Sequence, residues 1–147
     1  MNKLTEVTPK MLVAVELLTC ALRMYFDGAY FAALHLAGAA EEILGSYVSR
    51  TGVQNAFENL RDGAVRMSEH LSDGTYSSEP KVISNLMNYA RNRTKHHDKS
   101  GDDEILFDPR KQSSEILERA MTNYYQLMSH VLLPETEIMR RFNGQNM

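Results

Sequence analysis

"AALHLAGAAEEILG", Ala32 to Gly45, decides how the chain folds. Half of it is alanine or glycine, and its leucines and alanines recur at helical spacing. Small side chains let another backbone approach closely, so this helix belongs at the centre of a bundle or at a subunit contact. Its polar residues are grouped. His35, Glu42, Ser46 and Ser49 fall near one stripe, with Gly38 and Ala39 leaving space between the first two. The helix should run from Ala29 to Arg50, with Gly52 as its stop.

Upstream, Asp27-Gly28 supplies a turn. Before it, Met11, Ala14, Val15, Leu18, Leu22 and Tyr25 mark a first helix ending near Phe26, with Thr8 as cap and Pro9 at its first position. Downstream, a third helix covers Asn55 to Leu71, with Phe57, Leu60, Ala64 and Met67 as its apolar side. "SDGTYSSEP", Ser72 to Pro80, is a polar loop. A fourth helix begins near Pro80 and buries Ile83, Leu86, Met87 and Ala90. It ends in "NYARNRTKHHD", Asn88 to Asp98. "DKSGDDEILFDP", Asp98 to Pro109, is a loop, acidic in its middle. A fifth helix spans Gln112 to Leu133 through Ile116, Ala120, Tyr124, Leu127 and Val131, and Pro134 opens a short last helix or tail. No segment alternates long enough to require a strand. The expectation is an all-α protein: one domain over 1–147, an up-and-down bundle of four to five helices, with flexible tails at 1–8 and 140–147.

Composition bounds the function classes. The formal net charge of −3 argues against broad, charge-driven coating of nucleic acid. One cysteine, Cys20, excludes an intrachain disulfide and thiolate metal cages. No run of eighteen apolar residues exists, and "MNKLTEVTPK" lacks the apolar centre of a signal peptide, so the expectation is a cytoplasmic protein without membrane partners.

Against the acidic total, Arg91, Arg93, Lys95 and Lys99 form a basic patch with His96 and His97 among them. The residues alone leave three readings open. Cations at a helix C-terminus interact favourably with its dipole, so the run is first of all a solvated helix end. An arginine can grip a phosphate through two hydrogen bonds, and a histidine can move a proton near neutrality; Arg91 with His96 would suffice for RNA cleavage without a metal. His96, His97, Asp98, His35 and Glu42 are also competent ligands for zinc, iron or manganese, although the Glu-x-x-His pair of di-iron bundles is missing. His35 reads as a buried, hydrogen-bonded ring, paired with Glu42 or with the fourth helix. One of Glu41 and Glu42 should face solvent, and the other would orient Arg91. Tyr124-Tyr125 reads as core packing before base stacking, and His70 and His130 as structural or surface residues.

"RNRTKH", Arg91 to His96, resembles the arginine–polar–three residues–histidine signature of HEPN domains. Leu22 to Leu44 is similar to that family's "G-x-Y-x-x-A-x-x-L-A-x-x-A-x-E" helix, with Gly28, Tyr30, Ala33, Leu36, Ala37, Ala40 and Glu42 in the corresponding places. The chain also resembles small bacterial proteins carrying "RNxxKHxD", here Arg91, Asn92, Lys95, His96 and Asp98. The resemblance covers the central two-thirds. It implies a small helical bundle acting as a homodimer, often a ribonuclease of toxin–antitoxin or phage-defence systems with an antitoxin or other protein partner. It also implies catalysis by Arg91 and His96, with Asn92 orienting the arginine or the phosphate, His97 in reserve and no cofactor. Other members of the family are non-catalytic scaffolds or nucleotide binders.

Geometry adds one condition. On an unbroken helix, residues five apart point about 140° from each other. Arg91 and His96 can share a phosphate only if the helix ends between them or two subunits contribute. The small-residue face of the second helix, and the fourth helix, are the candidate dimer contacts.

Overall fold

The computed structural model describes residues 7–97 and 102–145. Among these residues the chain is all-helical, with no strand: α1 (Lys10–Phe26), α2 (Tyr30–Arg50), α3 (Ala56–Leu71), α4 (Pro80–Met87), α5 (Tyr89–Lys95), α6 (Pro109–Leu127) and α7 (Glu137–Gly144). The count exceeds the expected four to five because the fourth segment splits and the C-terminal segment forms a helix of its own. No helix of the described residues is long and apolar enough to cross a membrane.

The turn chemistry sets the first boundaries. Gly28 takes φ +82°, its N–H bonds the Tyr25 carbonyl and the Ala29 N–H bonds that of Met24, so two orphan carbonyls of α1 are satisfied as the chain reverses. Pro9 occupies the cap position of α1, one residue later than the sequence suggested, with no side-chain cap. α3 opens with a capping box: the Asn55 side chain accepts from the Glu58 N–H at 2.9 Å, and Glu58 reaches back to the Asn55 N–H.

The core is built by α1, α2 and α6. Ala14, Leu18, Leu22, Ala33, Leu34, Ala37, Leu44, Ile116, Leu117, Ala120 and Tyr124 are all fully enclosed. α2 packs along both long neighbours, which is the central place its small residues imply.

The expectation differs from the structure in four further places. The apolar sides assigned to the third and fourth helices stay largely outside the core: Ala56 is the one buried residue of α3, α4 has none, and Leu60, Met67 and Leu86 are exposed. The helix expected to continue past Pro80 breaks at Asn88, where ψ is 6°, and α5 then lies against α2 through the buried Ala90. The fifth segment starts three residues early, because Asp108 caps α6 and Pro109 takes its first turn. It also ends early, at Leu127, so Val131 is exposed. The Tyr124 hydroxyl donates to the Pro134 carbonyl at 2.5 Å and holds the returning chain. Residues 140–147 are not a free tail as far as they are described: Met139 and Phe142 of α7 are buried, and Phe142 packs edge-on to Tyr25 with ring centroids 5.5 Å apart.

Candidate functional site

α5 carries the basic run and ends at Lys95. His96 follows in extended backbone, φ −124° and ψ 151°, so the helix does stop between Arg91 and His96. The two side chains nonetheless line different cavities of one chain.

Arg91 turns toward α2. Its Nη1 donates to Glu42 Oε1 at 3.0 Å, and its side chain is 14% exposed while that of Glu42 is 70% exposed. Nε is buried without a hydrogen-bond partner. The arginine side chain passes over Gly38, where a β-carbon would stand 2.2 Å from Nε and 2.6 Å from Cζ. Gly38 is therefore the seat of the arginine, which explains a glycine in mid-helix despite its cost of ~1 kcal/mol relative to alanine. Gly38→Ala should expel Arg91 from Glu42 while leaving stability within ~1 kcal/mol of the wild type, since the alanine's helix preference offsets the lost contact. Chemical denaturation and a crystal structure of the variant would check it. Loss of the whole fold would show that Arg91 is not the side chain that yields. Around Arg91, a cavity of about 360 Å³ is lined by Glu41, Glu42, Ser46, Asn55, Asn88 and Asn123.

His96 and His97 are exposed and line a second, open cavity of about 540 Å³ with His35, Thr94, Arg93 and the acidic segment 102–104. The acidic segment folds back on the basic run. Arg93 Nη1 stands 2.7 Å from Asp102 Oδ1 and Nη2 donates to the Glu104 carbonyl, while His97 Nε2 meets Asp103 Oδ1 at 2.8 Å. Phe31 and Tyr89 pack edge-on against Phe107 at the same end, at 6.3 and 6.4 Å between centroids.

His35 is half-buried and bonds α5, as one of its two expected pairings had it: Nε2 lies 2.7 Å from Thr94 Oγ1. Thr94 gives its only hydroxyl proton to the Ala90 carbonyl at 2.8 Å, so the imidazole must donate from Nε2. Burial first, then the positive charges of Arg91 and Lys95, hold its pKa below the ordinary histidine value. The neutral ring is the one the fold prefers, and the unfolded chain binds the proton more readily. Its stabilising contribution is complete above the unfolded value and is lost as pH falls below it. Urea stability of the wild type should therefore drop more between about pH 7.5 and about pH 5.5 than that of His35→Gln. Equal slopes would remove His35 from the linkage.

Asn92 and Lys95 are exposed on α5, and Asp98 lies outside the described residues. Among the described residues, no three His, Cys, Asp or Glu side chains are grouped so as to hold a metal ion. His70 and His130 are exposed; Tyr124 is core, as its position on α6 implied.

The sequence reading gave one glutamate to solvent and the other to Arg91, but the exposed Glu42 is the one that meets Arg91, and the buried ion pair of its neighbour was not foreseen. Glu41, next to the exposed Glu42, is buried and grips Arg119 of α6 side-on, with Nε to Oε2 at 2.5 Å and Nη2 to Oε1 at 3.1 Å. Arg119 Nη1 also reaches the Met87 carbonyl at 3.3 Å, and its guanidinium lies over the Phe57 ring at 5.5 Å. Asn123 accepts from the Ala56 N–H at 2.8 Å and donates to the Glu41 carbonyl. The signal for this network was the polar pair Arg119 and Asn123, four residues apart on the face that also carries Ile116, Ala120 and Tyr124. No family model, curated protein or solved structure matches the chain.

Proposed function

We propose that the chain is a HEPN-like homodimer that cleaves RNA without a metal. The observation that carries the reading is the end of α5 at Lys95, which frees His96 into an open cavity while Glu42 and Gly38 hold Arg91 on the neighbouring face. In this reading the site is composite. A two-fold contact across α5 sets Arg91 of one protomer against the partner's His96, with Arg91 bound to the phosphate and His96 taking the proton of the ribose 2′-hydroxyl. The 2′-oxygen then attacks the adjacent phosphorus, and the 5′-oxygen leaves as a hydroxyl after receiving a proton. The products are a 2′,3′-cyclic phosphate and a 5′-hydroxyl end. His97, oriented by Asp103, is the second imidazole that supplies the leaving-group proton. Asn92 and Lys95 line the phosphate path, and His35 fixes α5 on α2 through Thr94. A toxin or phage-defence setting, with an antitoxin or other protein partner, rests on the family resemblance.

One observation favours a second reading, a non-catalytic module that binds a protein or an anionic ligand. Arg91, Arg93 and His97 each already have a carboxylate partner, which leaves the basic run largely balanced within its own chain. The two readings separate by incubating RNA with the wild type, Arg91→Ala and His96→Ala in EDTA. Cleavage by the wild type alone supports the enzyme, and intact RNA in all three supports the module.

A further inference from the structure

At the end of the bundle where α1 finishes and α2 and α6 begin, a cavity of about 370 Å³ is lined by Tyr25, Phe26, Tyr30, Arg110, Arg141 and Gln145, with no acidic side chain among them. One of the two arginines is held against a ring. The Arg141 guanidinium stacks on the Phe26 ring at 3.8 Å, which leaves the edge that carries its N–H groups unused by that contact. Arg110 is exposed and lines the same cavity as the Tyr25 phenol. Tyr25 is itself buried among Phe26, Tyr30 and Phe142, so its hydroxyl cannot swing away.

Among the described residues, neither guanidinium has a carboxylate at ion-pair distance. Asp108 is the acid whose charge reaches Arg110, but its side chain is committed to capping α6 through the Arg110 and Lys111 N–H groups at 3.0 and 3.2 Å. Two guanidiniums lining one cavity without a counter-charge, one of them stacked on a ring, suit an anion.

We infer that this cavity binds the phosphate monoester or diphosphate of a small molecule, apart from the Arg91 and His96 cavities. The two guanidiniums would bracket the dianion, and the hydroxyls of Tyr25 and Tyr30 would donate to its oxygens. The site is independent of the cleavage reading, because none of its residues belongs to α5.

Calorimetric titration of the full chain with inorganic pyrophosphate tests it. Saturable binding of one equivalent per chain is expected, weakened about 10-fold or more by Arg110→Gln and again by Arg141→Gln, the scale of a lost charge-assisted hydrogen bond. Arg110 is exposed, so its variant should melt with the wild type. Arg140, which donates to the Glu135 carbonyl outside the cavity, serves as control, and Arg140→Gln should leave the affinity unchanged. A 5′-hydroxyl dinucleotide, whose phosphodiester carries one charge, should bind more weakly than pyrophosphate. The inference is overturned by an absence of saturable binding, by equal losses in the Arg140 variant, or by dinucleotide binding as tight as that of pyrophosphate.

Discussion

RNA incubated with the protein in EDTA is expected to be cut, and His96→Ala to slow the cutting by about 10²–10⁴-fold, the usual contribution of a positioned proton-transfer group. Arg91→Ala should cost about 10²–10³-fold, the scale of losing one donor to a developing negative charge. Either variant alone would be inactive whether the site lies within one chain or between two. Mixing them distinguishes the cases. In a mixed dimer with composite sites, one site carries both substitutions and the other carries neither. Free reassortment should then restore roughly a quarter of wild-type activity. A mixture that stays inactive would reject the two-chain geometry, and an active single variant would remove that residue from the site. Loss of cutting in EDTA, restored by a transition metal, would turn the reading toward a metal enzyme.

The second large effect concerns stability. Glu41→Ala should leave the Arg119 charge buried and unpaired, at a cost of about 3–5 kcal/mol. Against a total of about 5–15 kcal/mol for a domain, that brings the protein near unfolding. Arg119→Met should cost a similar amount and also frees the Met87 carbonyl and the Phe57 ring, which weakens the attachment of α3 and α4. Combining Glu41→Ala with Arg119→Met should be milder than the two single losses added together, because no orphaned charge remains. Urea unfolding of the two single variants and the double variant closes the cycle. A loss below about 1 kcal/mol in Glu41→Ala would mean that water already reaches the pair.

How much of this was legible in the sequence depends on how local each cause is. Asp27-Gly28 and Gly52 mark helix ends through backbone conformation alone, and both boundaries follow. The core faces of α1, α2 and α6 follow from spacing, because α2 packs against both of the other two and each face is covered. α3 and α4 carry the same kind of apolar periodicity yet remain outside, since periodicity says which residues share a face and not whether another element covers it. The break at Asn88 has no proline or glycine to announce it.

In the site, the Gly38 gap could be anticipated from the residues themselves, while the stop before His96 entered only as a condition that the structure meets. Partner choice could not. Glu41 meets an arginine 78 positions away and Arg93 meets an acid across a loop, and only the fold brings such groups together.

The adjacent carboxylates of α2 have a consequence for how the helix is seated. Glu41 and Glu42 are chemically alike, point about 100° apart, and are claimed by different arginines on different elements. Turning α2 by one residue would carry Glu42 toward Arg119, but Arg91 would then face Ile43 and keep an unmatched charge. The same turn would bring His35 and Ser49 to the enclosed places of Leu34 and Val48, so the apolar face and the carboxylates agree on one setting. The doublet acts as a key with two teeth, and it defines from the polar side the rotational setting that the core defines from the other.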